Sequence, residues 1–340
     1  MPKSPIGSPT LLEGLSEPAL LADEGRVVAA NAAARALFRE DIVGVALKQA
    51  ISHPAAIQVL ERPKGANSED AELGGFDRSK RHWLMRIGEL PDGSRLIRFV
   101  DRSEARAAEQ MRVDFVANAS HELRTPLATL VGYTETLRER AADIDPATSE
   151  RFLGIVHDEA LRMQRIVEDL ISLSRIEAER FVQPTEAVAL EPLVEQALAG
   201  VRHDAAERGS SLASTIEPGL PLMAADRGQI LQLLDNLLTN ALRYGEAGAP
   251  VSVMAESDNG MVHLAIADRG DGIPAEHIAR VTERFYRVDT GRSRSIGGTG
   301  LGLSIVKHIV ERHRGRLDID SKQGVGTTVH VRLPVAEALS

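Results

Sequence analysis

The chain has 340 residues, with 40 basic against 49 acidic side chains and a formal charge of −9. That length suits two or three domains, and the acidic balance argues against a general binder of nucleic acid or anionic membrane. Cysteine is absent, which excludes disulfides, thiolate metal sites and cysteine nucleophiles and fits a reducing compartment. Aromatics make up only 3%, so the cores must be built largely from Leu, Val, Ile and Ala. No run of about 18 uninterrupted apolar residues occurs, so no membrane span is expected. The polar residues 1–10 lack a hydrophobic signal region and read as a flexible N-terminus. The expected location is the cytoplasm, with membrane association only through a partner or a segment absent from this chain.

Residues 11–100 alternate short apolar runs with turn signals. Ala19-Leu20-Leu21-Ala22, then Asp23-Glu24-Gly25, then Val27-Val28-Ala29 predict a hairpin. Asn31 should cap a short helix through Phe38. Two further strands, 82–87 and 95–100, flank the Pro91-Asp92-Gly93 turn. Trp83 is expected to be a half-buried strand residue rather than a ligand platform. The layout resembles a PAS sensory domain; it also fits an unremarkable α+β module.

Residues 101–182 change to helix formers with a break at Asp143-Ile144-Asp145-Pro146, where Pro146 suits a helix start. Val116, Ala119, Leu123, Leu127, Leu130 and Leu137 form one apolar stripe. Phe152, Val156, Ala160, Met163, Val167, Leu170 and Leu173 form another. A single hairpin cannot cover both stripes, so a homodimer closing a four-helix bundle is expected. Residues 101–113 read as a helical connector.

Residues 188–335 alternate helix and strand patterns, followed by a tail at 336–340. Helices are expected near 191–206, 227–243 and 301–313, and strands at 251–255, 261–267, 316–319 and 327–333. The Gly-, Ser- and Arg-rich stretch 289–300 has no periodicity and reads as a mobile loop.

Ten histidines occur. Nine read as surface or satisfied core residues. His121 differs: at about 100° per residue, the stripe through Val116, Leu123 and Leu130 leaves His121 on roughly the opposite side, facing solvent. Thr125 lies one turn on, on the same face, and Glu122 can approach the imidazole from the side. Pro126 should bend the helix just after the histidine. A neutral imidazole can attack a phosphoryl group, and a carboxylate beside it would orient the ring and stabilise developing charge. An exposed His beside a Glu is common on helices, so this geometry alone decides nothing.

The run Ser120-His121-Glu122-Leu123-Arg124-Thr125-Pro126-Leu127 resembles the H-box of the sensor histidine kinases. The resemblance implies that His121 is autophosphorylated, that Glu122 is its acid/base partner, and that Thr125 positions a water for dephosphorylating the partner protein.

Three other stretches suggest phosphate chemistry. Asn236 and Asn240, four apart on an apolar helix, present hard amide oxygens suited to Mg²⁺. Arg243 and Tyr244 follow with a phosphate donor and a base-stacking ring. Asp268-Arg269-Gly270-Asp271-Gly272-Ile273 ends a strand, where a carboxylate can accept from an adenine amine and glycines allow close approach. By itself such a run is more often a plain turn. Gly297-Gly298-Thr299-Gly300-Leu301-Gly302 opens a helix, a setting that favours anions. It is neither a Walker loop nor a dinucleotide fingerprint.

In this order the stretches resemble the N, G1 and G2 boxes of the ATP-binding domain shared by histidine kinases, gyrase B, Hsp90 and MutL, with 283–289 resembling the F box. The resemblance implies that Asn240 is the principal Mg²⁺ ligand, Asn236 a nucleotide contact and Asp268 the adenine reader. Gly270, Gly272, Gly298, Gly300 and Gly302 would shape the pocket beside Ile273, with Thr299 and Leu301 in a lid hinge. Arg287 would stand near the phosphates or at the contact with the histidine helix. Val281-Thr282 departs from the family pattern of an apolar residue plus Phe. The front end, Tyr286-Arg287-Val288-Asp289 and Arg292-Ser293-Arg294 look most like the phosphate-regulon sensor subgroup.

The expected molecule is therefore multidomain: an α+β PAS-like domain, a dimerising helical hairpin and an α/β sandwich ATP-binding domain. The implied function is autophosphorylation with ATP and Mg²⁺ and transfer to a response regulator, with phosphatase activity and no direct nucleic-acid contact. The rivals are a non-catalytic dimeric scaffold and a gyrase-type ATPase using Asp235.

Overall fold

In the computed structural model, residues 9–38, 41–61, 69–77, 81–140, 143–288 and 298–336 are described. The chain divides into two compact units, 1–116 and 117–340.

The first unit is built on one antiparallel sheet. After a short helix α1 (Pro9–Glu13) come β1 (Ala19–Asp23) and β2 (Arg26–Ala30), then helices α2 (Ala32–Phe38), α3 (Leu47–Ala50) and α4 (Pro54–Leu60). β3 (Glu69–Gly74), β4 (His82–Glu89) and β5 (Arg95–Asp101) complete it. Strand order is β2-β1-β5-β4-β3, an arrangement compatible with a PAS domain. The expected hairpin and both later strands are present, whereas β3, α3 and α4 carry no clear period in the sequence. Asn31 does more than cap α2. Its Oδ1 accepts from Ala34 N–H at 2.9 Å and Ala19 N–H at 3.0 Å, and its Nδ2 donates to Leu15 and Glu17 carbonyls. The core between sheet and helices is filled by rings: Phe38 and Phe76 meet edge to face at 5.5 Å, and Phe76 stacks on Phe99 at 5.7 Å. Trp83 belongs to this core and is only 5% exposed. The half-buried position expected for it is corrected, because its side of β4 faces the helices.

α5 (Ser103–Glu139) is one continuous helix through Pro126. Its residues from 117 onward pair antiparallel with α6 (Pro146–Ala178), where Tyr133 meets Phe152 at 4.9 Å and Glu122 meets Arg162. Asp145 caps α6 by accepting from Thr148 N–H, and Pro146 occupies the first turn. Much of the apolar surface stays uncovered within the chain: Leu127, Val131, Leu153, Leu161, Val167 and Ile171 are all exposed. Leu173, expected on that outer stripe, is instead fully buried with Ile166 and Ile176, since α6 packs against the last helix of the C-terminal module.

That module contains β6 (Ala187–Val188), α7 (Glu191–Glu207), β7 (Leu212–Ile216), β8 (Met223–Ala224), α8 (Arg227–Tyr244), β9 (Val251–Asp258), β10 (Met261–Ala267), α9 (Ala275–Ile278), α10 (Gly302–Arg312), β11 (Arg316–Lys322) and β12 (Gly326–Pro334). The five-stranded order is β11-β12-β10-β9-β7, antiparallel except where β7 runs parallel to β9. β7 was not expected, since its residues are mostly exposed and the edge position needs little apolar patterning. Alternate residues Val262, Leu264 and Ile266 of β10 are buried, as are Leu233, Leu237 and Leu238 of α8 and Ile305 and Ile309 of α10. One layer of helices therefore covers one face of the sheet. Buried Arg312 bonds Glu179 at 2.7 Å, at the end of α6, and Asp226 at 3.3 Å, the cap of α8. Among the described residues no helix is long and apolar enough to cross a membrane.

Candidate functional site

α8, α10, the 268–273 turn and α6 surround a cleft of about 1280 Å³. The buried stripe of α8 leaves Asn236 and Asn240 at its edge, facing the start of α10. Asn236 Nδ2 is held by the Gln232 carbonyl at 2.9 Å, which turns Oδ1 the other way. A Cβ on Gly302 would sit 2.8 Å from that oxygen and 3.6 Å from Asn240 Nδ2. A Cβ there would have to push the Asn236 amide aside, so glycine lets the helix start lie against both amides. This cradle of amides and bare backbone at a helix start fits a magnesium-bound polyphosphate.

The opposite wall is shaped by the same constraint. A Cβ on Gly270 would run into the Tyr244 carbonyl oxygen, and Gly272, at φ +65°, is pressed against the Lys322 carbonyl. The turn after β10 is thereby drawn against the end of α8, which sets Asp268 in the cleft wall. Asp268 accepts from Thr327 N–H at 3.3 Å, while burial pushes its carboxyl up to about 6. A carboxylate that is costly to ionise, beside Ile266, Ile273, Ile319 and Val329, suits a flat ring that donates an amine hydrogen.

Gly298, Thr299, Gly300 and Gly302 line the cleft with Arg243, Tyr244 and Arg287. Leu301 does not: it is fully buried, and its carbonyl accepts from Ser304 Oγ. Gly300, at φ +72°, fits against the backbone of Phe285, itself at φ +62°, and Phe285 N–H donates to the Gly300 carbonyl at 2.8 Å. A phenylalanine in the left-handed region costs about 1 kcal/mol or more, and here it is held by the Gly300 contact. Residues 289–297, the greater part of the expected mobile loop, lie outside the described residues.

Cations gather at one end. Burial holds the Arg243 guanidinium below its ordinary value, and the like charges of Arg165 and Arg287 push the same way. Opposite them stands Asp169 of α6, which accepts from Thr299 Oγ1 at 2.9 Å. Burial raises its carboxyl despite that bond. Arg165, Glu168 and Asp169 of α6 all line the cleft; the sequence reading missed them. Their spacing of three and four with Arg162 was the available signal, a polar face on a helix read for its apolar stripe.

His121 is exposed on α5, and Thr125 is exposed one turn on, its Oγ1 donating weakly to the His121 carbonyl at 3.4 Å. Glu122 Oε2 lies 3.3 Å from Arg162 Nη2 and 3.9 Å from Arg287 Nη1. The described partners of Glu122 are thus two guanidiniums, not the neighbouring ring, because successive helix positions diverge by about 100°. Arg287 lines the cleft and also reaches Glu122 on the histidine helix. The F-box segment packs despite its unusual residues, with Val281 buried and Arg284 paired to Glu177 of α6. Burial of Arg284 and of His308 lowers the pKa of each.

Arg287 of the glycine-walled cleft reaches Glu122, the residue after the exposed His121, an arrangement that fits a phospho-acceptor hairpin beside a nucleotide-binding module without a lysine loop. Comparison with known proteins agrees. Residues 225–337 match the family described as histidine kinase-, DNA gyrase B- and HSP90-like ATPase, and residues 111–179 match the His Kinase A (phospho-acceptor) domain. Together the two models span more than half of the chain. Phosphate regulon sensor protein PhoR of Pseudomonas aeruginosa is 40% identical over 232 residues, covering 67% of this chain and 51% of that protein. Sensor-like histidine kinase SenX3 of Mycolicibacterium smegmatis is 37% identical over 235 residues, covering 69% and 60%. The crystal structure of histidine kinase ThkA in complex with response regulator protein TrrA shares the fold, with TM-score 0.55, 19% identity and coverage of 96% and 98%. The chain belongs to the sensor histidine kinases, in a subgroup like the phosphate-regulon sensors. It spans about half to three fifths of the length of the two relatives named here.

Proposed function

We propose that this chain autophosphorylates His121 with ATP and passes the phosphoryl group to an aspartate of a response regulator. The observation that carries the reading is the Glu122–Arg287 contact, which places the residue next to His121 against an arginine of the cleft wall. ATP with Mg²⁺ supplies the phosphoryl group. Asn240 would hold the metal and Asn236 the nucleotide, with Asp268 accepting from the adenine amine. Arg243 and Arg287 would neutralise the phosphate charge as it shifts toward the leaving diphosphate. His121 forms its bond to the γ-phosphorus as the bridging oxygen departs with ADP. Glu122, released from its arginines, would orient the imidazole and stabilise its growing positive charge. Catalysis of this kind is largely placement and charge neutralisation. Thr125, on the same face, would position the water that hydrolyses the phosphorylated partner.

The exposed apolar residues of α5 and α6 support a homodimer, closing a four-helix bundle on those stripes. Residues 11–100 would act as the sensory domain, biasing the hairpin through 101–113. The chain as given would work in the cytoplasm.

The test is incubation with ATP radiolabelled at the γ-phosphorus. Acid-labile, base-stable label is expected on the wild type and none on His121→Ala, with nucleotide binding intact in both. Strong label on His121→Ala would reject the assignment. Asn240→Ala should lose Mg²⁺-dependent stabilisation by nucleotide. Thr125→Ala should keep autophosphorylation and slow phosphate removal from the regulator. One observation favours a second reading, a gyrase-type ATPase: Asp235 lines the cleft and burial raises its carboxyl. ATP hydrolysis that persists in His121→Ala and vanishes in Asp235→Asn would support it.

A further inference from the structure

The outer face of the catalytic sheet carries a row of four polar side chains that the phosphoryl chemistry does not use. They run across four neighbouring strands: Glu256 on β9, His263 on β10, His330 on β12 and Asp320 on β11. Glu256 Oε1 lies 3.1 Å from His263 Nδ1. His263 Nε2 lies 3.1 Å from His330 Nδ1. His330 Nε2 lies 3.3 Å from Asp320 Oδ2. The two rings are nearly parallel, with centroids 5.2 Å apart. Their side chains are 15% and 21% exposed, so the facing nitrogens are sheltered yet reachable.

Both hydrogen bonds are met by two neutral imidazoles: His263 Nδ1–H serves Glu256 and His330 Nδ1–H serves His263 Nε2, while Asp320 stands near His330 Nε2 as an ion-pair contact. The nearby charges favour a cation. Arg332 is occupied by Asp318 at 2.7 Å, which leaves Glu256 and Asp320 facing the two rings. Two arrangements suit the facing nitrogens: that hydrogen bond, or a metal ion between them with His330 in its other tautomer and each far N–H turned to a carboxylate. That second arrangement is the carboxylate–histidine–metal pattern in which an outer acid fixes the tautomer and strengthens the ligand. The bite also fits. Nitrogens about 2.0–2.1 Å from one ion and roughly 3.1 Å apart subtend about 100°, between the octahedral and tetrahedral values.

We propose that His263 Nε2 and His330 Nδ1 form an open, two-nitrogen site for a borderline divalent cation such as Zn²⁺ or Ni²⁺, with Glu256 and Asp320 as its outer acids. Among the described residues no cluster of three or more His, Asp or Glu forms a metal cage. The remaining positions are therefore filled by water or by a donor from another molecule. Imidazole pairs select Zn²⁺, Ni²⁺ and Cu²⁺ over Mg²⁺, so this site is chemically separate from the amide site in the cleft. A bound ion clips β10 to β12, two central strands of the sheet.

The test is calorimetric and thermal-shift titration of the full chain with ZnCl₂ and NiCl₂, with MgCl₂ in parallel and nucleotide absent. Expected are one site per chain of micromolar affinity for Zn²⁺ and Ni²⁺, a raised melting temperature, and no response to Mg²⁺. His263→Gln and His330→Gln should each weaken Zn²⁺ binding at least tenfold. Glu256→Gln should weaken it about tenfold through the outer acid, and His203→Ala, on an exposed helix elsewhere, should change nothing. Circular dichroism checks that each variant is folded. Zn²⁺ affinity undiminished in folded His263→Gln and His330→Gln, or no Zn²⁺ uptake below millimolar concentration, overturns the proposal and leaves a hydrogen-bonded pair. Autophosphorylation does not enter this readout, so the proposal fails or stands apart from the kinase reading.

Discussion

The two five-stranded sheets of this chain make opposite use of aromatic residues. In the first unit Phe38, Phe76, Phe99 and Trp83 fill the core between sheet and helices. In the catalytic module the core is aliphatic, and Tyr244 and Tyr286 stand at the rim of the cleft. The first core is closed and its buried amide, Asn31, is fully bonded. The second leaves a large hollow walled by glycines, a left-handed phenylalanine and a carboxyl that is costly to ionise. Carboxyls that are costly to ionise gather where a ligand can repay them, whereas the first core is filled space whose unpartnered buried side-chain polar atom, among the described residues, is the Trp83 indole nitrogen.

Four changes would sharpen or break this contrast. Phe99→Ala should cost about 3–5 kcal/mol in the first unit, as for other buried rings. Denaturant unfolding of the full chain should then show an early transition with nucleotide binding unaltered. A single shared transition would show the two cores to be coupled. Gly270→Ala should cost roughly 3 kcal/mol by forcing the 268–273 turn off α8, melting the catalytic module early while leaving the first unit intact. Unchanged melting would deny the close approach its importance.

Asp268→Asn divides stability from function. The native carboxyl keeps its proton up to about pH 6, whereas the unfolded one loses it near its ordinary value of 3.8. Unfolding free energy therefore falls as pH rises across that window. At neutral pH the empty Asn variant should melt higher than the wild type and bind ATP at least tenfold more weakly, by loss of a charged acceptor. Wild-type ATP affinity should itself decline as pH drops through about 6. A pH-independent affinity would remove Asp268 from the adenine wall. Smallest is Asp169→Ala. Removing an anion that faces Arg243 and holds Thr299 should raise ATP affinity by up to about fivefold, an effect of up to about 1 kcal/mol at a partly solvated site. Weaker binding would show that Asp169 assists the nucleotide.

Legibility in the sequence followed the same divide. The helices at 191–207, 227–244 and 302–312 and the strands of the catalytic sheet were readable because each presents one apolar face at a clean period. So were the glycines, whose positions need either positive φ or close approach. Edge strand β7, half exposed on both faces, offered no such pattern. The polar side of α6 was missed because Arg162, Arg165 and Asp169 gain meaning only from what stands across from them. Leu173 shows the converse: its apolar period was right, but a stripe does not say which neighbour covers it. The His263–His330 pair was equally hidden, since 67 residues separate two strands that the fold sets side by side.

The buried guanidinium of Arg312 joins the last turn of α6 to the cap of the helix that bears both asparagines. A twist applied to the hairpin's lower end would thus reach the helix of Asn236 and Asn240 through one planar side chain rather than through a floppy tether. Lysine there could keep the charge but not the two-pronged grip, so the stiffness of the joint, more than its polarity, is what that position demands.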